Sequence, residues 1–195
     1  MQQVTATNHA WAGILPELVS TDSVHLLESL LKFVPDASAA QVDAWRSSLA
    51  VLKKQGAQVL QLHETARDHG TVLEYELPRE AGRRPDVLVL QNGIIAVLEF
   101  KESALPRRAD IDQVKAYARD LRGYHSECED VGVEPFLVLC GIGAYPRDVD
   151  GVHVVPASDL GRRLAELASS GRGNPMPVDT FLAGQYAPLP TLVDA

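Results

Sequence analysis

The sequence predicts an α/β fold in which helices flank a mixed central sheet. Two aliphatic runs of strand length, residues 86–91 and 94–100, are separated by an Asn-Gly dipeptide, which is typical of a tight β-hairpin. A segment with helical periodicity follows at 109–125, and a third aliphatic run covers 134–140. A hairpin followed by a helix and a further strand indicates an antiparallel pair continued by a crossover connection.

The other elements complete the order helix, three strands, helix, strand. Ser38 and Gln41 form a capping pair that begins the first helix, whose apolar residues share one face as far as Gly56. Residues 57–68 are predicted as a further helix or an irregular link. The regular elements expected outside the hairpin are, in chain order, helix 39–55, strand 71–77, helix 109–125, strand 134–140, strand 152–155 and a last helix capped by Ser158.

Charged side chains gather at one end of the predicted hairpin. Asp86 begins its first strand, whereas Glu99 and Lys101 end its second strand and point to the same face. Glu99 follows five apolar residues, and burying its charge costs free energy unless the carboxylate is paired or binds a metal. Two carboxylates and a lysine there suit a hard cation, an activated water and a phosphodiester. The alternative is a solvated charge pair on an edge strand.

The helix predicted at 109–125 carries a second group of polar residues. Gln113 and Tyr117 lie about a quarter turn from its apolar stripe. Because only residues 102–108 join Lys101 to this helix, Gln113 is expected to reach Glu99 and Lys101. An ordinary polar flank of a packed helix is the alternative interpretation.

Composition limits the class of protein without deciding it. The chain has 195 residues, enough for one compact domain, and a net charge of −8 that by itself disfavours a nucleic-acid partner. Nine Lys and Arg against seven Asp and Glu nevertheless make residues 79–122 net positive. Two cysteines without metal-ligand spacing, and no signal or membrane pattern, favour a reduced, cytoplasmic setting without a membrane.

Together these residues resemble the PD-(D/E)xK nuclease superfamily, and in particular its RecB-type members. Asp86, Glu99 and Lys101 match the signature, while Gln113 and Tyr117 match the Gln-x-x-x-Tyr motif on the following helix. The resemblance implies a restriction-endonuclease-like αβββαβ core. We expect this nuclease-like domain over residues 38–174, after an N-terminal helical cap at 1–37.

The resemblance also implies roles for individual residues and a Mg²⁺ (or Mn²⁺) cofactor. The residues carried over are catalytic Asp86, Glu99, Lys101 and Gln113, metal-binding Asp86, Glu99 and the Phe100 carbonyl, and substrate-binding Arg83, Arg84 and Tyr117. Lys101 would orient or deprotonate the attacking water, and Gln113 would hold Lys101 or the water. Many members add an acidic residue from the first helix. Here Asp43, Glu74 and Glu76 stay open as candidates, and so does the number of metals.

Longer stretches are similar to the nuclease-like region that precedes the helicase in bacterial Schlafen group 3-like DNA/RNA helicases. They read EYELPREAGRRPDVLVL, VLEFK, DQVKAYARDLRGYH and YAPLPTLVDA. No P-loop motif occurs, so residues 175–195 are predicted as a loosely packed, proline-rich tail or linker toward a missing helicase. The chain would then be a fragment or a stand-alone relative.

The leading hypothesis is a metal-dependent nuclease acting on nucleic acid, with DNA favoured over RNA. The resemblance implies a helicase/ATPase partner, in cis or in trans, and a role in defence or DNA processing. One alternative is a catalytically silent module with a nuclease fold that binds nucleic acid or a partner protein. The other alternative is an RNA-directed endonuclease.

Overall fold

A mixed seven-stranded sheet with helices on both faces organises the chain. The structure is a computed structural model that describes residues 7–80 and 82–187. Its strands are β1 Trp11–Ile14, β2 Gly70–Leu73, β3 Val87–Leu90, β4 Ile94–Lys101, β5 Gly132–Leu139, β6 Arg147–Val149 and β7 Val152–Pro156. Its α-helices are α1 Leu15–Ser20, α2 Ser23–Phe33, α3 Ala39–Leu62, α4 Arg108–Tyr124, α5 Leu160–Ser170 and α6 Val178–Ala183.

The strand order is β1-β2-β3-β4-β5-β7-β6. Pairing is antiparallel from β1 to β4, parallel from β4 through β5 to β7, and antiparallel between β7 and the edge strand β6. β3 and β4 form the predicted hairpin, and α4 makes the predicted crossover between β4 and β5. The α/β class and the mixed sheet flanked by helices are therefore confirmed.

The two faces of the sheet bury separate apolar layers. Helices α1, α2, α3 and α5 cover one face, where Val87 and Leu98 pack with Trp45 of α3. Helices α4 and α6 cover the other face, where Leu88 and Val97 pack with the α4 stripe that includes Val114. Successive side chains of β3 and β4 point alternately into the two apolar layers, as expected for strands that are buried on both faces.

Two predicted boundaries are wrong, namely the end of the first predicted helix and the end of the first predicted strand. Helix α3 continues through Gly56 to Leu62. A methyl group at Gly56 would lie 3.1 Å from the side chains of Leu15 and Val19, so this glycine lets α1 pack closely instead of ending the helix. Strand β2 stops at Leu73, short of residue 77, because Glu74 adopts a left-handed backbone with φ of 51°.

The N-terminal region is not purely helical. Residues 11–14 form the edge strand β1, paired with β2, where a helical segment was expected. Helices α1 and α2 share their apolar layer with α3. Strand β6 lies between the predicted strands 134–140 and 152–155, where no regular element was expected. The first six residues of the expected cap lie outside the described residues.

The expectation of a loosely packed tail is wrong for residues 175–187. Phe181 of α6 is fully buried and stacks on His125 with ring centroids 4.2 Å apart. Bridges also join Pro175 to Asn92 and Tyr186 to His125. Proline at position 177 is compatible with this packing because it precedes α6 and none of the helical N–H groups is lost. Residues 188–195 of the predicted linker lie outside the described residues.

Replacing Gly93 by alanine tests the hairpin turn. Gly93 has a φ of +69°, and an added methyl group would lie 2.3 Å from the Arg172 carbonyl oxygen. We expect Gly93→Ala to lower the free energy of unfolding by about 2–4 kcal/mol, because both backbone strain and a backbone clash oppose it. Urea unfolding measures this, with Gly123→Ala as control, since a methyl group there would meet no side chain of the described residues within 4 Å. Equal stability of both variants would contradict the turn geometry.

The buried His69 predicts a pH dependence of stability. Burial, together with the charge of His63, lowers the pKa of His69 to about 4. The unfolded chain titrates near ~6.5, so it binds more protons between these values, and His69 contributes stability above pH ~6.5 that is lost as pH falls toward 4. The contribution is at most about 3 kcal/mol. Unfolding of wild type and His69→Leu at pH 7.5 and 4.5 should therefore give a difference that shrinks at low pH, whereas a constant difference would contradict this.

Candidate active site

A cleft of about 310 Å³ opens where β3 begins and β4 ends. The side chains around it come from α3, the segment after β2, the two hairpin strands and α4. The sequence-predicted site residues that line it are Arg83, Arg84, Asp86, Glu99, Phe100, Lys101, Gln113 and Tyr117. The fold thus brings every predicted site residue to one cleft, while their roles stay predictions.

Asp86 fixes the floor of the cleft. Its Oδ2 accepts a hydrogen bond of 2.7 Å from the backbone N–H of Phe100, so the carboxylate joins the start of one hairpin strand to the end of the other. Burial raises the pKa of Asp86 well above its ordinary value, and the negative charges of Glu99 and Glu74 add to this effect. The Asp86 carboxylate is therefore held in place, but its negative charge is poorly compensated by its neighbours.

Glu99 is 3% exposed and only half satisfied. Its Oε1 accepts a hydrogen bond of 2.8 Å from Lys101 Nζ, whereas its Oε2 is buried and has no hydrogen-bond partner among the described residues. Burial raises the pKa of Glu99 even though Lys101 opposes the rise. A buried carboxylate oxygen without a donor is costly, and a bound cation is one way to satisfy it.

Lys101 is a positively charged donor held between two elements. Its Nζ lies 3.4 Å from Gln113 Oε1, and Gln113 Nε2 donates a hydrogen bond of 3.0 Å to the Tyr117 hydroxyl. Burial lowers the pKa of Lys101, but the carboxylates, Glu99 foremost, outweigh this and raise it overall. Of the two roles considered for Lys101, this environment favours orienting a group over deprotonating it.

Glu74 supplies a third carboxylate to the cleft. Its left-handed backbone takes it out of β2, and its side chain accepts hydrogen bonds from Trp45 Nε1 at 2.9 Å and Arg84 Nε at 3.0 Å. Such a conformation in a non-glycine residue costs on the order of 1–3 kcal/mol and is often kept at functional sites. The hydrogen bond from Trp45 could not be predicted, because apolar periodicity along α3 does not reveal the partner of an indole N–H.

The three candidates for an upstream acidic residue differ in position. Glu74 lines the cleft and is 5% exposed. Asp43 is exposed and pairs with Arg46 in the next turn of α3. Glu76 is half-buried and is not among the described residues that line the cleft. The geometry therefore favours Glu74.

Arg83 borders the cleft and is braced from behind by Asp120, a contact that sequence reasoning missed. Arg83 donates to the Asp120 carboxylate at 2.9 Å and lies over the Tyr117 ring, 5.2 Å from its centroid. Asp120 is 2% exposed and also accepts from Arg119 at 2.8 Å. The available signal was that Asp120 follows Tyr117 by three residues on the same stripe of α4.

The donor set is compatible with a divalent cation that prefers oxygen ligands. Asp86, Glu99 and the Phe100 carbonyl would hold it, and the unpartnered Glu99 oxygen is the observation that favours this assignment. Within residues 7–80 and 82–187, no three or more His, Cys, Asp or Glu side chains group closely enough to hold a metal ion. A cation here would therefore need the backbone carbonyl and water as further ligands.

Comparisons with family models, with curated proteins and with solved structures gave no match for this chain. Among the described residues, none of the helices has the length and apolar character needed to cross a membrane. A functional conclusion therefore depends on the geometry of the cleft and on the resemblance of its motifs.

The brace between Arg83 and Asp120 is testable by a double-mutant cycle with Arg83→Met and Asp120→Asn. Because Asp120 is almost fully buried, we expect a coupling energy of about 1–2 kcal/mol in urea unfolding. Arg46→Met and Asp43→Asn form the matched control, since both side chains of that pair are mostly exposed. The control should give a coupling of about 0–0.5 kcal/mol. Equal coupling in the two cycles would show that Asp120 does not anchor Arg83.

Proposed function

We propose that this chain is a Mg²⁺- or Mn²⁺-dependent nuclease domain with a restriction-endonuclease-like core, hydrolysing phosphodiester bonds of nucleic acid. The observation that carries the proposal is the convergence of Asp86, Glu99, Lys101 and Gln113 in one open cleft. The order α3, β2, β3, β4, α4, β5 supports it, because it repeats the αβββαβ order that the resemblance implies. The β3–β4 hairpin brings Asp86, Glu99 and Lys101 together, and the crossover helix α4 adds Gln113 to them.

Each residue has a role that its contacts support. Asp86 and Glu99, with the Phe100 carbonyl, would hold the cation, which when bound supplies Lewis acidity and a polarised water. Lys101 is kept charged by its carboxylate neighbours and can donate to the reacting phosphate, where its charge stabilises the negative charge that develops. Gln113 restricts Lys101 through its carbonyl oxygen, and Tyr117 restricts Gln113.

Arginines at the rim of the cleft support a polyanionic substrate. Arg84 lies beside Asp86 and is about a fifth exposed, with its side chain tied to Glu74 through one nitrogen. Arg83 is about a third exposed at the same rim. The guanidinium groups can bind phosphate oxygens while their carboxylate partners keep them oriented. We favour DNA as the substrate and a helicase/ATPase as the partner, because of the resemblance.

A second candidate function is a nuclease-fold module that binds nucleic acid without cutting it. The observation in its favour is that Lys101 pairs with Glu99, and Arg84 with Glu74, inside the cleft. The lysine and the arginine of these pairs compensate much of the acidic charge, so the cleft does not require a metal ion for this purpose. A cleavage experiment separates the two candidates.

Lys101→Ala tests the catalytic role directly. Purified wild type should nick or degrade plasmid and single-stranded DNA with Mg²⁺ or Mn²⁺ and stop with EDTA. We expect Lys101→Ala to slow cleavage by about 10²–10⁴-fold, because stabilisation of the developing charge is lost. Lys54→Ala is the matched control, since Lys54 is exposed on α3 and does not line the cleft.

Binding measurements complete this experiment. With Ca²⁺ in place of Mg²⁺, Lys101→Ala should bind DNA within about threefold of wild type, because one phosphate contact of many is removed. An RNA of the same sequence tests the RNA-directed alternative. If wild type binds but never cuts with any divalent metal, the binding-module function replaces the nuclease. If Lys101→Ala cuts normally, the catalytic role proposed for Lys101 is wrong.

A further inference from the structure

Two loops beside the cleft are fixed to each other at the carboxyl ends of β4 and β5. They cover residues 102–107 and 140–146. Cys140 N–H donates to the Lys101 carbonyl at 2.9 Å, and Gly141 N–H donates to the Ser103 carbonyl at 3.1 Å. A methyl group at Gly141 would lie 2.3 Å from the backbone nitrogen of Ala104. The loops therefore have a defined position relative to Lys101.

These loops expose large apolar side chains beside the acidic cleft. Ile142 is 101% exposed, Leu105 is 64% exposed and Tyr145 is 56% exposed. The guanidinium of Arg147 lies over the Tyr145 ring, 4.1 Å from its centroid. An aromatic side chain next to a cation is a feature of surfaces on which unpaired bases stack, and Leu and Ile side chains can insert between bases.

We propose that Leu105, Ile142 and Tyr145, with Arg147, bind unpaired bases of a strand whose phosphate lies in the cleft. The substrate would then be a single strand or a frayed duplex end, and not an intact duplex. The inference rests on the proposed nuclease function for the position of the phosphate. An intact duplex keeps the faces of its bases stacked inside, so it offers these side chains nothing to contact except by unstacking.

Position and charge favour nucleic acid over a protein as the occupant of this surface. The main-chain hydrogen bonds at Lys101 and Ser103 make the loops continuous with the cleft. Exposed Arg107 lies two residues after Leu105, whereas the next residue, Arg108, is paired with Asp112 and Asp150. A backbone leaving the cleft would therefore meet the guanidinium groups of Arg107 and Arg147 together with apolar side chains.

The test measures DNA binding by the full chain with Ca²⁺ in place of Mg²⁺, so that a cation can occupy the cleft while cleavage plays no part. The probes are a fluorescent single strand of about 20 nucleotides and its blunt duplex. We expect wild type to prefer the single strand, and the double substitution Leu105→Ser with Ile142→Ser to weaken single-strand binding by about tenfold. Duplex binding should change by less than about twofold, because phosphate contacts dominate it. Val24→Ser and Leu62→Ser are the matched controls, since both side chains are exposed elsewhere.

A second readout follows stacking itself. A strand carrying 2-aminopurine should lose fluorescence on binding to wild type, and Tyr145→Ala should restore most of it. The proposal is overturned if wild type binds the duplex as tightly as the single strand, or if the substitutions change self-association by light scattering while single-strand binding is unchanged. If wild type cleaves DNA and the loop variants bind the single strand as tightly as wild type, the stacking surface is wrong and the nuclease proposal holds. If 2-aminopurine stacks on wild type but no DNA is cleaved, the nuclease proposal is wrong and the stacking surface holds.

Discussion

The hydrogen bond from the Phe100 N–H to the Asp86 carboxylate holds the whole site together. Main-chain pairing between β3 and β4 ends at Val87 and Leu98, while β4 continues to Lys101 with only β5 beside it. The Asp86 side chain replaces the missing strand partner there. The same contact places an acidic group next to Glu99, whose alternation along β4 sends it and Lys101 toward α4. Without that bond, the strand end that carries the charged residues would lose its support on this side.

The charges in the cleft are compensated unevenly, and this gives the site its chemical character. Glu74 receives the Trp45 indole and the Arg84 guanidinium, and one Glu99 oxygen receives Lys101. Asp86 accepts a hydrogen bond from the Phe100 backbone N–H, and the second Glu99 oxygen accepts none from the part of the chain that the structure describes. The elevated pKa values of Asp86 and Glu99 express the same imbalance, with burial as the main cause. A cation bound between them would relieve both the repulsion and the unsatisfied oxygen.

Much of the fold and the position of the site could be predicted because their signals are local. An Asn-Gly turn between two aliphatic runs specifies the hairpin, and its geometry alone brings Asp86 close to Glu99. The left-handed backbone of Glu74 could not be predicted, because contacts with Trp45 and Arg84, far apart in sequence, hold it. The docking of Phe181 on His125 was missed for the same reason, since proline content describes local stiffness and not tertiary contacts. The chemistry itself stayed open between cutting and binding, because intact carboxylates are compatible with both.

Direct observation of the cation tests the central claim most sharply. Crystals soaked in Mn²⁺ should show an anomalous peak within ligand distance of Asp86, Glu99 and the Phe100 carbonyl. The same soak of Asp86→Asn crystals should show a much weaker peak, because a charged ligand is replaced by a neutral one of equal size. If the wild-type cleft shows no peak and Lys101 Nζ still donates to Glu99 Oε1 in the soaked crystals, the cleft is not a metal centre and the nuclease proposal fails.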